Sequence, residues 1–188
     1  IALVSALFSF ISSYLGMKIA LGIDQVFLKK AMILILPAIA CILLLKRNFG
    51  NENKSKEIPQ KKTFALAALI GACVGFYDGL IGPGTGTIAI IAYSAWMRYD
   101  LKTASGNAKL LNLASNYASL TAVLLNNKVI FSIAIPAAVC GIIGNYLGAG
   151  FALKKGAAFI RPLMIVVIIL LFAKLFYDVF GKMILGLF

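Results

Sequence analysis

Histidine is absent from this 188-residue sequence, and charged residues make up only 13% of it. Without histidine there is no Ser–His pair or triad, and most zinc chemistry is excluded. An ordinary soluble domain carries about 25% charged residues. The shortage of charge therefore indicates that water is not the main solvent of this chain, and we expect a protein that is not an enzyme.

Cysteine is scarce as well, with Cys41, Cys73 and Cys140 each inside an apolar run and no CxxC spacing. Neither a disulfide framework nor a metal site is indicated. Nucleotide-binding loops are also missing, because no lysine follows Gly86 and the GxGxxG pattern fails at Thr87. We expect no cofactor and no metal.

What the sequence has in abundance is apolar length, since 62% of it is hydrophobic. A helix needs about 20 mostly apolar residues to cross the hydrocarbon of a bilayer. The pattern predicts an all-α, polytopic helical membrane protein with apolar segments A to F, which are A (1–22), B (31–46), C1 (63–81), C2 (87–99), D (107–126), E (129–153) and F (158–180).

The net charge of +12 lies mostly in short loops between these segments. No basic run is interleaved with aromatic residues in a polar domain, so nucleic acid is not expected as a partner. The bilayer is. Lys46, Arg47, Lys54, Lys56, Lys61 and Lys62 place the polar linker 47–62 in the cytoplasm by the positive-inside rule.

An internal repeat emerges when the sequence is shifted by 132 positions, which places Tyr14, Leu15 and Gly16 on Tyr146, Leu147 and Gly148. Residues 1–46 are then interpreted as the end of a first repeat, and 63–180 as a complete second repeat. We expect a first-repeat portion of about 70 residues in front of Ile1, by the logic of duplicated transporter folds.

Charge also favours a hairpin for C1 and C2 over a single crossing. If the two short helices enter and leave on one side, the basic clusters near Arg98 and Lys155 both face the cytoplasm. The same topology makes the two repeats inverted relative to each other.

The segment "GFYDGLIGPGTGT" at 75–87 breaks this hairpin in its middle. Lipid cannot satisfy the free amides and carbonyls of such a break, so it must be buried or line a cavity. A structural turn is one interpretation. The other is an anion cradle built from the backbone at the start of C2, with Gly82, Gly84, Thr85, Gly86 and Thr87.

Asp78 is the single carboxylate within C1. A charged carboxylate at the bilayer centre costs about 2.5–3.5 kcal/mol on insertion scales. Two roles stay open from the sequence: a proton or cation carrier that couples transport, and a hydrogen-bonded brace for the hairpin.

Segment D carries a polar stripe, with Ser105, Lys109, Asn112, Asn116 and Ser119 spaced by four, three, four and three. We interpret the stripe as a wet or substrate-lining face; interhelical hydrogen bonding is the alternative. The candidate substrate-binding residues on this segment are Ser105, Asn107, Lys109, Asn112 and Asn116.

Two further groups are interpreted as structural. Small residues in A (Ser9, Ser12, Ser13, Gly16) and in E (Gly141, Gly144, Asn145, Gly148) suit close helix packing. Trp96, Arg98 and Tyr99 at the end of C2 suit an interfacial anchor.

Taken with "ASGNAKLLNLASNYASL" at 104–120 and "YLG" at 146–148, the glycine-broken hairpin resembles the sulfite exporter TauE/SafE family. The resemblance implies a multi-pass protein of the bacterial inner membrane that moves a small sulfur-containing or organic anion, such as sulfite, sulfoacetate or a related sulfonate. A second copy of the same chain, forming a homo-oligomer, is a further candidate partner. An anion channel is the first alternative, and a lipid-modifying membrane enzyme is a more distant one.

Overall fold

The computed structural model describes residues 1–45, 53, 58–155, 166, 169–170, 172–174 and 176–177. Across these ranges the regular elements are helices, and no strand occurs. The six helices with defined bounds are α1 (Ala2–Gly22), α2 (Gln25–Leu45), α3 (Gln60–Leu80), α4 (Thr85–Trp96), α5 (Leu101–Leu125) and α6 (Phe131–Lys155). The predicted all-α class is confirmed.

Segments A to E correspond to α1 to α6, with ends shifted by a few residues. The largest differences are at the starts of α2 and α5, each six residues earlier than predicted. Asp100 explains the earlier start of α5, because its carboxylate accepts hydrogen bonds from the Thr103 backbone and hydroxyl at 2.9 and 2.7 Å. Most of segment F, and linker residues 47–52 and 54–57, lie outside the described residues.

Three helices of the described ranges are long and apolar enough to cross a membrane, namely Ala2–Gly22, Gln60–Leu80 and Phe131–Phe151. Their large apolar side chains are widely exposed, as shown by Leu3 at 77% and Tyr146 at 82%. Soluble monomers rarely expose contiguous apolar surface on this scale. The chain is a membrane protein.

The chain divides into two compact units, 1–125 and 126–188. In the first unit, α3 and α4 form the predicted hairpin, since Lys62, Leu66 and Leu69 in the first half of α3 line one cavity together with Ala95 and Trp96 at the end of α4. The core lies between α3, α4 and α5, around Ile70, Tyr93, Met97 and Leu111, all fully buried.

The two arms of the hairpin differ in length. At about 1.5 Å per residue, the 21 residues of α3 extend about 32 Å and the 12 residues of α4 about 18 Å. The hydrocarbon core of a bilayer is about 30 Å thick. Of the two arms, only α3 is long enough to cross this thickness.

Helix α1 packs against α3 with almost no side chain between the two backbones. Gly71, Gly75 and Gly79 follow one another at every fourth position on α3, and they face Ser5, Ser9 and Ser13 at the same spacing on α1. A methyl group on Gly75 would lie 2.5 Å from the Ser9 Cα, closer than real carbon atoms approach. The expected packing role of the small residues in α1 is confirmed.

The aromatic residues after α4 separate into two environments. Trp96 is 49% exposed, as an interfacial anchor would be, whereas Tyr99 is buried. The Tyr99 ring stacks on Tyr93 with centroids 6.2 Å apart. Tyr99 is therefore part of the core, contrary to its predicted place beside Trp96, because the chain after Met97 turns back over the hairpin.

The second unit is described mainly through α6. Among the described residues its predicted packing face is exposed, and Gly141, Gly144 and Gly148 have no atom of the described part of the chain within 4 Å of an added methyl group, apart from their own helix turn. This face corresponds in the internal repeat to the α1 face that α3 covers. The repeat itself stays a prediction.

Candidate functional site

The helix break between α3 and α4 is a short left-handed turn. Gly82 and Gly84 have φ angles of 88° and 87°, which residues with a Cβ rarely adopt. The Tyr77 hydroxyl donates a hydrogen bond to the Pro83 carbonyl at 2.6 Å, and the Thr85 amide donates one to the Gly82 carbonyl at 3.2 Å. These two bonds hold the turn in place.

The start of α4 presents backbone donors. Its N-cap residue is Gly84, which has no side chain to cap the helix. Helix geometry leaves the next amides, those of Gly86 and Thr87, without a partner inside the helix. The aligned peptide dipoles add about half a positive charge at this end. A small anion is the complementary ligand.

Asn112 on α5 lies beside these amides. Its Nδ2 is 3.4 Å from the point where a Cβ on Gly86 would lie, so the absence of a side chain at Gly86 keeps this approach open. Its Oδ1 is buried and has no hydrogen-bond partner among the described residues. Asn112 thus adds a neutral polar group to the space at the start of α4.

Asp78 links the three helices of the core. Its Oδ1 accepts a hydrogen bond of 2.6 Å from the Thr85 hydroxyl on α4, and its Oδ2 accepts one from the Ser115 hydroxyl on α5. The carboxylate therefore lies at the positive end of α4. Two hydrogen bonds to a charged group, each worth about 1.5–3 kcal/mol, are enough to offset the insertion cost of about 2.5–3.5 kcal/mol.

Both hydroxyl groups also have a second acceptor within hydrogen-bond distance. For Thr85 it is the Gly82 carbonyl, and for Ser115 it is the Asn112 carbonyl at 3.1 Å. A hydroxyl group carries one proton and donates to one acceptor at a time. Each hydroxyl group therefore has a choice between the Asp78 carboxylate and a backbone carbonyl. We call Asp78, Thr85 and Ser115, together with these two carbonyls, the hydroxyl ring.

The structure brings some of the predicted site residues together and separates others. Gly82, Gly84, Thr85, Gly86, Thr87, Asp78 and Asn112 surround the helix break. Lys109 and Asn116 on α5 are exposed, and Ser105 is half-buried. The Asn107 side chain donates to the Thr103 carbonyl of its own helix at 2.8 Å.

The polar stripe of α5 therefore runs along the edge of the helix interface. The buried face of α5 lies beside the stripe, and most of its residues come one position before a stripe residue. They are Ala104, Ala108, Leu111, Ser115, Ala118 and Ala122. Ser119 also turns toward α1, where its hydroxyl lies 2.9 Å from that of Ser13.

Sequence reasoning missed Ser115 and Tyr77. Ser115 lies on a stripe of small residues with the same four-three spacing as the polar stripe, and that spacing was the available sign. Tyr77 gave no sign, because its contact with Pro83 depends on the shape of the turn.

Known proteins show to which family this chain belongs. The family model for "Sulfite exporter TauE/SafE" matches residues 1–175. The chain belongs to the TauE/SafE family. The resemblance carried by the glycine-broken hairpin is thereby confirmed.

Curated TauE/SafE relatives are similar along almost the whole chain. A probable membrane transporter protein of Haemophilus influenzae is 30% identical over 169 residues, covering 90% of this chain and 65% of the relative. The probable membrane transporter protein YfcA of Escherichia coli is 31% identical over 179 residues, covering 94% of this chain and 65% of YfcA. The chain thus spans about 65% of the length of these relatives. No solved structure matches the chain.

Proposed function

We propose that this protein is a secondary transporter that moves a small anion across the bacterial inner membrane. The observation that carries the proposal is the start of α4, where helix amides without an intrahelical partner, the Asn112 side chain and the Asp78 carboxylate lie around the break inside the hairpin. The naming of the relatives as probable membrane transporters supports the same class.

The substrate class follows from the donors. The Gly86 and Thr87 amides and the Asn112 side chain offer neutral hydrogen-bond donors to a compact oxyanion. Neutral donors bind an anion loosely enough for release, which transport requires. With the family match, we assign a sulfur-containing or organic anion, such as sulfite, sulfoacetate or a related sulfonate.

Asp78 supplies a means of coupling. A charged carboxylate and a substrate anion at the same helix end repel each other, and the repulsion is strong where little water screens it. Uptake of a proton by Asp78 removes the repulsion. Anion and proton then bind together, so a proton gradient can drive the anion. In this mechanism, Asp78 braces the hairpin when it is charged and carries a proton when it is protonated. Both roles use the same hydroxyl ring.

Two other functions are less well supported. A channel needs an open polar path, and saturation of flux with counter-exchange of substrate separates a carrier from a channel. A lipid-modifying enzyme needs converging titratable groups, whereas Asp78 is hydrogen-bonded to two hydroxyl groups.

The test is flux of radiolabelled sulfite and sulfonates into liposomes that contain the full-length protein, measured between pH 5 and 8. We expect anion affinity to rise as pH falls, and Asp78→Asn to flatten this dependence while the protein still accumulates. Asp24→Asn is the matched control, because Asp24 caps α2 through the Val26 amide at 3.3 Å and an asparagine caps equally well.

Two outcomes would contradict the proposal. Unchanged pH dependence in Asp78→Asn removes the coupling role. Failure of this variant alone to accumulate leaves Asp78 as a structural brace.

A further inference from the structure

A cavity lies at the opposite end of the hairpin from the helix break. It has a volume of about 490 Å³ and opens between the start of α3 and the end of α4. Its size is within the range of ligand pockets, about 300–1,000 Å³. It shares no lining residue with the site around Asp78, so the proposed transport site leaves it unexplained.

The lining of this cavity is amphipathic. Leu66, Leu69 and Ala95 provide an apolar wall. Lys62 and Arg98 provide two exposed cations, and Trp96, which is 49% exposed, adds an amphipathic ring to the lining.

This combination matches one ligand better than any other. A phospholipid has an anionic head group for the two cations and acyl chains for the apolar wall. Basic pockets between membrane helices on the cytoplasmic side bind anionic lipid head groups, and tryptophan prefers the interface at head-group depth. A soluble anion would leave the leucine wall unused.

We propose that the cavity between the start of α3 and the end of α4 binds an anionic phospholipid of the surrounding leaflet. The head-group phosphate lies between Lys62 and Arg98, and the acyl chains lie along Leu66 and Leu69. The bound lipid holds the two ends of the hairpin together, and thereby supports the break at its tip. The proposal does not depend on the identity of the transported anion.

Trp96 makes the site directly measurable, because it is the single tryptophan of this sequence. The full-length protein is reconstituted into phosphatidylcholine vesicles that contain brominated phosphatidylglycerol, and quenching of tryptophan fluorescence is recorded. The Trp96→Phe variant supplies the background. We expect phosphatidylglycerol to quench Trp96 at a mole fraction at least about tenfold lower than brominated phosphatidylcholine does, given the known attraction of paired basic residues to anionic lipid.

The variant pairs separate a built site from general surface charge. Lys62→Gln with Arg98→Gln removes the two cations of the cavity, and we expect the preference for phosphatidylglycerol to disappear. Lys61→Gln with Lys102→Gln removes two exposed cations that do not line the cavity, and we expect the preference to remain. Ala95→Phe fills the cavity without changing charge and should also reduce quenching, which guards against a misfolded charge variant.

Three results would overturn the proposal. Equal quenching by the two brominated lipids would indicate non-selective contact with the bilayer. Equal losses in the two charge pairs would indicate a diffuse field. Relief of quenching by millimolar inorganic phosphate would indicate a site for a soluble anion. None of these results depends on transport, so they are distinguishable from failure of the proposed function.

Discussion

At the scale of single residues, the site depends on which of two neighbouring faces of α5 a side chain occupies. Asn112 and Ser115 are only three positions apart, yet Ser115 is buried against Asp78 while Asn112 borders the start of α4. Lys109, one turn before Asn112, is exposed. It can attract an anion toward the site without being part of the buried ring.

Lys109→Gln should therefore weaken anion binding more than Lys128→Gln does. Both changes remove one exposed positive charge, but Lys109 shares a helix face with Asn112 and Lys128 lies in the loop after α5. Attraction across partly screened distances is modest, so we expect about a two- to fivefold effect that fades at high salt. Binding of radiolabelled sulfite at low and high ionic strength is the measurement; equal effects of the two variants would exclude Lys109 from the site.

Asp100 carries a pH-dependent share of the stability of α5. Hydrogen bonds from the Thr103 backbone and then from the Thr103 hydroxyl lower the pKa of this carboxyl group. A lowered pKa in the folded state means that the stabilisation is present above the unfolded pKa and is lost as pH falls through the folded value.

We expect Asp100→Ala to reduce the free energy of unfolding by about 1 kcal/mol at pH 7 and to have a smaller effect at pH 3. Asp100→Asn should keep most of the stability and show no such pH dependence. Thermal unfolding in detergent at both pH values tests this, and an equal loss at pH 7 and pH 3 would contradict the capping role.

At the scale of elements, the contact between α1 and α3 fixes the position of the hairpin. Glycines at every fourth residue of α3 allow backbone contact with the serine face of α1, and the Ser9 and Ser13 hydroxyls reach on to α5, donating to the Leu111 and Ser115 carbonyls at 3.3 and 3.0 Å. Asp78 lies between Gly75 and Gly79 on the same helix, so the position of its carboxylate relative to α4 and α5 depends on this packing.

Gly75→Ala should destabilise the protein by about 1–3 kcal/mol, since the added methyl group meets the Ser9 backbone, which cannot rotate away. Gly106→Ala is the matched control, because no atom lies within 4 Å of its added methyl group. There, alanine should stabilise the helix by about 0.5–1 kcal/mol. Unfolding in detergent gives both values, and a neutral Gly75→Ala would mean that α1 and α3 are further apart.

At the scale of the whole molecule, the hairpin predicts the direction in which the chain crosses the membrane. Residues near the start of α3 and at the end of α4 line one cavity, so we expect the starts of α3 and α5 to lie on one side of the bilayer. The 25 residues of α5 extend about 37 Å, enough to carry the chain to the other side.

Single cysteines at Lys61 and Lys102 should therefore react with a membrane-impermeant reagent from the same side, and one at Lys128 from the opposite side. The positive-inside rule makes the first side cytoplasmic. Labelling of intact cells and of inverted vesicles, with the full-length protein, distinguishes the sides. If Lys61 and Lys102 reacted from opposite sides, α3 and α4 would form one broken crossing, and the two-repeat inversion would fail with it.

The all-α membrane class, the helices and the position of the helix break could be predicted from the sequence alone. Long apolar runs, scarce charge and the glycine pattern at 82–86 act locally, so they can be interpreted without knowing what packs against them. The distribution of basic residues between the segments predicted the hairpin, and the candidate substrate-binding set already contained both Gly86 and Asn112.

Which polar groups form hydrogen bonds with one another depends on the tertiary structure. Spacing along α5 defines two adjacent stripes but does not say which one faces the core. The stripe with Ser115 packs against α1 and α3, because its smaller side chains allow the backbones to come closer. The partners of Asp78 come from 7 and 37 residues away, on two other helices. Contacts of that kind depend on the relative positions of helices, which no local pattern contains.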